Sequence, residues 1–360
     1  MTVQSPIQPT SGVMAASCAV PVVERERVLL GHGSGGQLSA ELLREVIVPA
    51  LGTAARAGAM EDGALIHVGS YDLVMSTDSF VVNPRFFPGG DIGSLAVHGT
   101  INDLAMMGAL PAALTLALVI EEGFPIDELR AICESVGRAA VAAGVPVVTG
   151  DTKVVGRGDA DGLFINTTGL GRRLPAASPS ATRACVGDVV VLSAPIGLHG
   201  TTVMSTRAAL GFESDIASDS QPLHRLVEAM IDVAGPAIHV MRDPTRGGLA
   251  SALNEIAQAS GVQICLEESA IPVPAIVAAA CEILGLDPLH VANEGCLVAI
   301  VDPDVVDAVV AAMRTTPEGS SACVIGSVID ASTARVVMST IVGSRRIVDM
   351  LIGEQLPRIC

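Results

Sequence analysis

The sequence predicts a two-domain protein of the α+β or α/β class, and three observations predict it. At 360 residues the chain exceeds what one hydrophobic core usually organises. Apolar runs of strand length alternate with stretches of helical period in both halves. Between the halves, Arg172 to Arg183 carries Pro175, Ser178, Pro179 and Ser180, which reads as a linker.

Residues 1–26 hold Ser, Pro, Ala and Val without periodicity and no base before Arg25, so they are read as a mobile leader without the positive start of a signal peptide. The first domain is expected over 27–172. Strands are predicted at Ala64 to Val68 and Leu73 to Thr77. From Asp91 to about Met107, Ile92, Leu95, Ala96, Gly99, Leu104 and Met107 fall near helical spacing, so one helix face is buried. A strand at Ala113 to Ile120 precedes a helix opened by Pro125 and Asp127 and closed at Gly144. Val145 to Val148 and Leu163 to Leu170 read as strands, and 173–183 as the linker.

The second domain, 184–345, repeats the style. Strands are expected at Asp188 to Ser193, Val262 to Leu266, Cys296 to Val301, and near Val324 and Val336. Helices are expected at Thr201 to Leu210, Pro222 to Ala234, from about Thr245, at Pro274 to Leu284 and at Val305 to Met313. Residues 346–360 are read as a mobile tail.

Composition removes several function classes. Half the residues are apolar and 16% charged, with 37 Gly and 21 Pro, which excludes a wholly disordered chain or a coiled coil. No apolar run nears the roughly 18 residues of a spanning helix, so no membrane association is expected. A formal charge of −17, with six Phe, one Tyr and no Trp, lacks the sign and the stacking platforms of a nucleic-acid surface. It leaves room for a polyphosphate, because Mg²⁺ held by carboxylates binds what the bare surface would repel. Eight scattered cysteines with no Cys-x-x-Cys pair read as reduced and cytoplasmic.

Four segments share a pattern of Asp beside Gly, Ser, Thr or Asn at the end of an apolar run. They are Ser76-Thr77-Asp78-Ser79-Phe80, Gly89-Gly90-Asp91-Ile92-Gly93, Thr100-Ile101-Asn102-Asp103-Leu104 and Thr149-Gly150-Asp151-Thr152-Lys153, with Glu61-Asp62-Gly63-Ala64 a fifth. Strand ends and tight turns let backbone approach a phosphate, and carboxylates supply the hard oxygens Mg²⁺ requires. Any one of them is equally a helix cap or a turn, but five in one half point to a metal–nucleotide site. Gly31-His32-Gly33-Ser34-Gly35-Gly36 fits Gly-x-Gly-x-x-Gly without the βαβ context of a dinucleotide fold, so a glycine loop over phosphates or a plain surface loop fits better.

Of the 21 basic residues, Lys153 is the only lysine. An ammonium kept at this one place suggests a compact charge on phosphate or a group that exchanges a proton. Glu294, in Asn293-Glu294-Gly295, sits in a turn where a carboxylate serves as a base or as a cap, and the residues alone do not choose. Arg242-Asp243-Pro244-Thr245-Arg246-Gly247-Gly248-Leu249 leads into a helix whose start suits an anion. The chain ends Leu356-Pro357-Arg358-Ile359-Cys360, and a thiol on a tail of ten residues reaches roughly 33 Å. A prenylation box would need its Cys four residues from the end, so that use of Cys360 is excluded.

Together these segments resemble the HypE carbamoyl dehydratases of NiFe-hydrogenase maturation, over nearly the whole chain from Val28 to Cys360. The internal motifs mark a wider superfamily of ATP-using enzymes that includes aminoimidazole ribonucleotide synthetase, thiamine-phosphate kinase and selenophosphate synthetase. The ending Pro357-Arg358-Ile359-Cys360 singles out the HypE branch. The resemblance implies an α+β, aminoimidazole ribonucleotide synthetase-like two-domain fold. It implies a homodimer whose N-terminal domains pair into a β-barrel-like interface, with a C-terminal α/β domain on each subunit. It also implies that a carbamoyltransferase, HypF, loads a carbamoyl group onto Cys360, that ATP converts it to a thiocyanate, and that cyanide passes to iron on a HypC–HypD complex.

On this resemblance, Cys360, Glu294 and Lys153 are the catalytic candidates. Gly33, Ser34, Gly35, Gly36, Asp78, Asp91, Asn102, Asp151, Thr152 and Asp243 are the nucleotide-binding candidates, and Asp62, Asp78, Asp103 and Asp151 the Mg²⁺ ligands. Two alternatives compete: an ATP-dependent kinase or synthetase of the same superfamily acting on a free small molecule, and a non-enzymatic thiol carrier.

Overall fold

The structure, a computed structural model, describes residues 27–33, 35–55, 61–207, 216–330, 333–351 and 358–360. The leader 1–26, Ser34 and residues 352–357 of the expected tail lie outside the described residues, as do 208–210 at the end of the helix expected from Thr201.

The first domain is a five-stranded sheet covered on one face by helices. Its strand order is Ala64–Val68, Tyr71–Phe80, Leu163–Arg173, Ala109–Glu121, Val147–Val155, all antiparallel except the last pair. Leu163–Arg173 alternates buried and partly exposed residues up to Gly171, the pattern of a sheet with one covered face. The helix Ile92–Met106 packs on that face and against the second helix, Ile126–Ala143. Every residue of Ile92–Met106 is buried except Ser94, His98 and Asp103, so the amphipathic reading of one buried face understates it. Asp91 opens this helix, its carboxylate accepting the N–H groups of Gly93 at 2.7 Å and Ser94 at 3.1 Å.

The expected strand Val145 to Val148 runs instead from Val147 to Val155 and absorbs Gly150-Asp151-Thr152-Lys153, which reads as a turn in the sequence. It forms an edge of the sheet and is exposed at every position but the last. Gly150 is required by the sheet itself, since a Cβ there would collide with the Leu116 carbonyl oxygen of the neighbouring strand.

The second domain holds a seven-stranded mixed sheet in the order Arg345–Val348, Arg335–Ser339, Gln263–Glu267, Cys323–Ile329, Val189–Leu192, Val298–Val301, Ile238–Arg242. Val190, Leu192, Val298 and Ile300 join a core that includes the helix Gly248–Ser260. Val191, Ala299 and Val301 join another that includes the helices His224–Ala234 and Val306–Met313. Both faces are covered, which is why the central strands read as unbroken apolar runs. Residues 346–348, assigned from sequence to the tail, lie in the last strand, paired with Arg335–Ser339. Among the described residues neither sheet closes on itself, and no helix is long and apolar enough to cross a membrane.

The seam between the domains is continuous core. Ala105 and Met106 pack with Leu223, Leu226 and Met230, while Phe80, Ile92 and Leu95 share a cluster with Val203, Ala292 and Ile359. Asn102 is the polar bolt across it: its amide nitrogen donates to the carbonyls of Gln221 at 3.1 Å and Glu294 at 3.2 Å, and its oxygen accepts Leu223 N–H at 2.8 Å. Replacing Asn102 by Leu strands these groups in a fully buried place, and the expected loss is about 2–3 kcal/mol of unfolding free energy, measured by urea denaturation.

Candidate functional site

A cleft of about 410 Å³ opens where the two domains meet. Asp78 enters it from the end of the strand Tyr71–Phe80, and Asp103 from the one polar stripe of the helix Ile92–Met106. Asp62 comes from the turn before the first strand, Asp243 from the end of Ile238–Arg242, and Glu294 from the turn preceding Val298–Val301. The Cys360 side chain lies in the same cleft.

The last three residues reach it by backbone pairing. Val81 N–H donates to the Cys360 main-chain oxygen at 3.1 Å, Asn83 N–H to the Arg358 carbonyl at 3.1 Å, and Arg358 Nε to the Val81 carbonyl at 3.0 Å. Arg358 also pairs with Asp161, and Arg207 donates to the Arg358 carbonyl at 2.8 Å. Ile359 is buried among Phe80, Val82 and Phe87.

Carboxyls dominate the electrostatics. One oxygen each of Asp62, Asp103 and Asp243 lie within 4.8 Å of one another. Burial raises Asp62, Asp103 and Asp78 above the ordinary carboxylate range, with Arg242 opposing at Asp62, and pushes Asp243 up to about 6. Asp103 accepts a hydrogen bond from the Ser76 hydroxyl at 2.5 Å. Arg242 answers part of the charge, pairing with Asp62 at 2.9 Å and with Glu255. Burial, reinforced by Asp243, raises Glu294 well above its usual value, and its Oε1 has no hydrogen-bond partner among the described residues. The Cys360 thiol is pushed up to about 12 by burial, against the pull of Arg246.

Such a set is poorly satisfied without a cation. Hard oxygens converging from three backbone segments are the donor set of Mg²⁺, so the residues present fit that ion. A second group of ligand-type side chains, Cys185, Asp188 and His239, lies outside the cleft. There the Asp188 carboxylate is engaged by Cys185 N–H at 2.7 Å and His239 Nδ1 at 2.8 Å, which pins the turn before the strand Val189–Leu192.

The cleft gathers Cys360, Glu294, Asp62, Asp78, Asp103 and Asp243. Gly35 sits at its margin with φ +77°, where a Cβ would strike Arg246. Gly33 and Gly36 line an adjoining hollow of about 610 Å³ that shares Arg242, Arg246 and Glu255 with the cleft. Asn102 lies beneath Glu294 rather than in the cleft, and Asp91 caps its helix. Asp151, Thr152 and Lys153 stand on the exposed edge strand, with Lys153 Nζ 2.7 Å from Asp151, and do not line this cleft.

Sequence reading passed over Arg246 as an individual residue, although its motif was visible. It also passed over Asp219, whose carboxylate accepts the N–H groups of Glu294 at 3.2 Å and Gly295 at 3.1 Å. Nothing in Ser218-Asp219-Ser220 marks it, because its role exists only once distant segments meet. Gly295 is forced by the same contact: a Cβ there would collide with the Asp219 carbonyl.

The N-terminal domain model of the AIR synthase related protein family matches residues 60–173, and its C-terminal domain model matches 186–339. The chain is 54% identical over 331 residues to the carbamoyl dehydratase HypE of Bradyrhizobium diazoefficiens, covering 92% of this chain and 95% of that protein. Among solved structures, HypE in a HypE–HypF complex superposes with a TM-score of 0.82 at 46% identity, covering 86% of this chain and 99% of the other. HypE in complex with ATP gives 0.78 at 46% identity, covering 93% and 100%.

The buried acids set a pH dependence. A carboxyl raised by folding, such as Asp243 going from 3.8 to about 6, favours the native state fully below 3.8, and that contribution is lost as pH climbs through about 6. Asp243→Asn should therefore gain urea-denaturation midpoint relative to the native chain as pH rises over this window, in the absence of divalent ions.

Proposed function

The chain belongs to the HypE family of carbamoyl dehydratases, and we propose that its interdomain cleft performs the ATP-dependent conversion of a carbamoyl group on Cys360 to a thiocyanate. The observation that carries this reading is the Cys360 thiol seated with Glu294 among the clustered carboxyls. A kinase acting on a free molecule would have no use for a chain end in its active cleft.

The reaction turns S–C(=O)NH₂ into S–C≡N. The carbamoyl oxygen must leave, and both N–H protons must be removed. Amide oxygen leaves poorly, so ATP is the co-substrate that takes it as phosphate. Glu294 is the base for the nitrogen protons: a carboxyl raised by burial is a stronger base once ionised, and its free Oε1 has acceptor capacity to spare. Asn102 and Asp219 hold the Glu294 backbone, which fixes the direction from which the base approaches. Asp62, Asp103 and Asp243 would hold Mg²⁺ with Asp78 beside them, and the ion would neutralise the polyphosphate. Gly33, Gly35 and Gly36 leave backbone open to phosphate at the adjoining hollow.

Asp151, Thr152 and Lys153 act, in this reading, across a homodimer. Their strand is an unpaired edge that exposes Val148 and Val154, surface that a second copy would cover, and the pairing of two such sheets gives the barrel-like interface. Lys153 would then stabilise the transferring phosphate or relay a proton. HypF supplies the carbamoyl group and a HypC–HypD complex accepts the cyanide, in a reduced, cytoplasmic setting that keeps Cys360 a thiol.

Intact mass after incubation with HypF, carbamoyl phosphate and ATP tests the reading. A carbamoyl gain on Cys360 followed by loss of one water is expected; ATP turnover on a free substrate by a chain lacking Cys360 would sink it. Glu294→Gln should still be carbamoylated while dehydration slows roughly a hundredfold or more. Mg²⁺ near neutral pH should raise the melting temperature of the native chain, and much less that of Asp103→Asn, in differential scanning fluorimetry.

A further inference from the structure

His199, in the helix Leu198–Arg207, is completely buried, with Phe87 packed edge-on at 5.4 Å between ring centroids. Its Nε2 lies 2.8 Å from the Ile359 carbonyl oxygen and its Nδ1 2.8 Å from the Ser218 hydroxyl. A carbonyl only accepts, so Nε2 carries the hydrogen and Nδ1 accepts from Ser218. Burial lowers the imidazole to about 4, which keeps this neutral form at physiological pH.

Ser218 is itself fixed. Its N–H donates to the Pro88 carbonyl at 2.8 Å, and its hydroxyl oxygen accepts Ser220 N–H at 3.1 Å. The next residue, Asp219, grips the N–H groups of Glu294 and Gly295, and Gln221 Nε2 donates to the Gly295 carbonyl at 2.9 Å. One short segment, 218–221, therefore holds the turn bearing Glu294 with one hand and, through His199, the peptide just before Cys360 with the other.

The other tail contacts do not duplicate this. Arg207 and Asp161 hold Arg358, two residues upstream. With the Ile359 carbonyl held by His199 and the Cys360 main-chain oxygen by Val81 N–H, the thiol keeps little freedom beyond its own χ1.

We infer that His199 is a positioning residue which, through Ser218, sets the register of the Cys360 thiol against the Glu294 carboxyl. This rests on the reading of Cys360 as acceptor and Glu294 as base. It adds a hydrogen-bonded link between them, through residues 218–221, to the apolar packing that Ile359 shares with Ala292.

The test measures the rate at which iodoacetamide alkylates Cys360 in the full chain without ATP, by intact mass and peptide localisation, with exposed Cys133 as internal reference. His199→Leu removes the donor and should speed Cys360 alkylation about tenfold relative to Cys133. His199→Gln carries an amide N–H able to reach the same carbonyl and should return the rate to near that of the native chain. Ser218→Ala leaves the core ring in place but frees its Nδ1, and should give a smaller rise, so the question is answered even if His199→Leu does not fold. Native rates in both His199→Leu and Ser218→Ala would overturn the inference. So would an equal rise in the Leu and Gln variants, which would mark the ring as core filler. Alkylation needs no carbamoyl donor, so the result stands apart from whether the chain dehydrates its cargo.

Discussion

The whole arrangement depends on forcing carboxyls from two domains into one poorly hydrated seam. Each of Asp62, Asp103, Asp243 and Glu294 resists ionisation there because burial removes the water that would stabilise its charge. The cost is met by apolar packing on either side, where Phe80, Ile92 and Leu95 join Val203 and Ala292 in one cluster across the boundary. A site so poor in counter-charge has a strong preference for cationic contents, and Arg242 and Arg246 offset only part of it.

Across the seam the Arg242–Asp62 ion pair is joined by neutral and backbone groups. Asn102 satisfies two carbonyls and one N–H without adding charge. Asp219, a buried carboxyl pushed up to about 6, is surrounded by backbone N–H donors that offset its burial. The rigidity they confer falls on the turn that carries Glu294.

Much of this was legible in the sequence, for physical reasons that differ by residue. Buried strands such as Val298–Val301 announce themselves as apolar runs. Asp78, Asp103, Asp243 and Glu294 drew notice as acids beside Gly, Ser, Thr, Asn or Pro, although Asp103 lies within the helix Ile92–Met106 rather than at an element end. Gly150-Asp151-Thr152-Lys153 misled about local structure, since Gly-Asp is turn chemistry, yet an exposed edge strand tolerates polar residues and a glycine that a neighbour's carbonyl requires. The short strands Ile238–Arg242 and Arg345–Val348 carry Arg and His and so lacked an apolar signature. His199 and Asp219 left no trace, because their partners lie 160 and 75 residues away.

Because the main-chain oxygen of Cys360 is paired with Val81 N–H and its side chain faces the carboxyl cleft, the sulfur is placed by the backbone as well as by its own side chain. Anything that displaces this pairing moves the sulfur away from the carboxyls it faces. The alignment of that thiol is thus a property of the strand end at Val81 and Asn83 as much as of the tail itself.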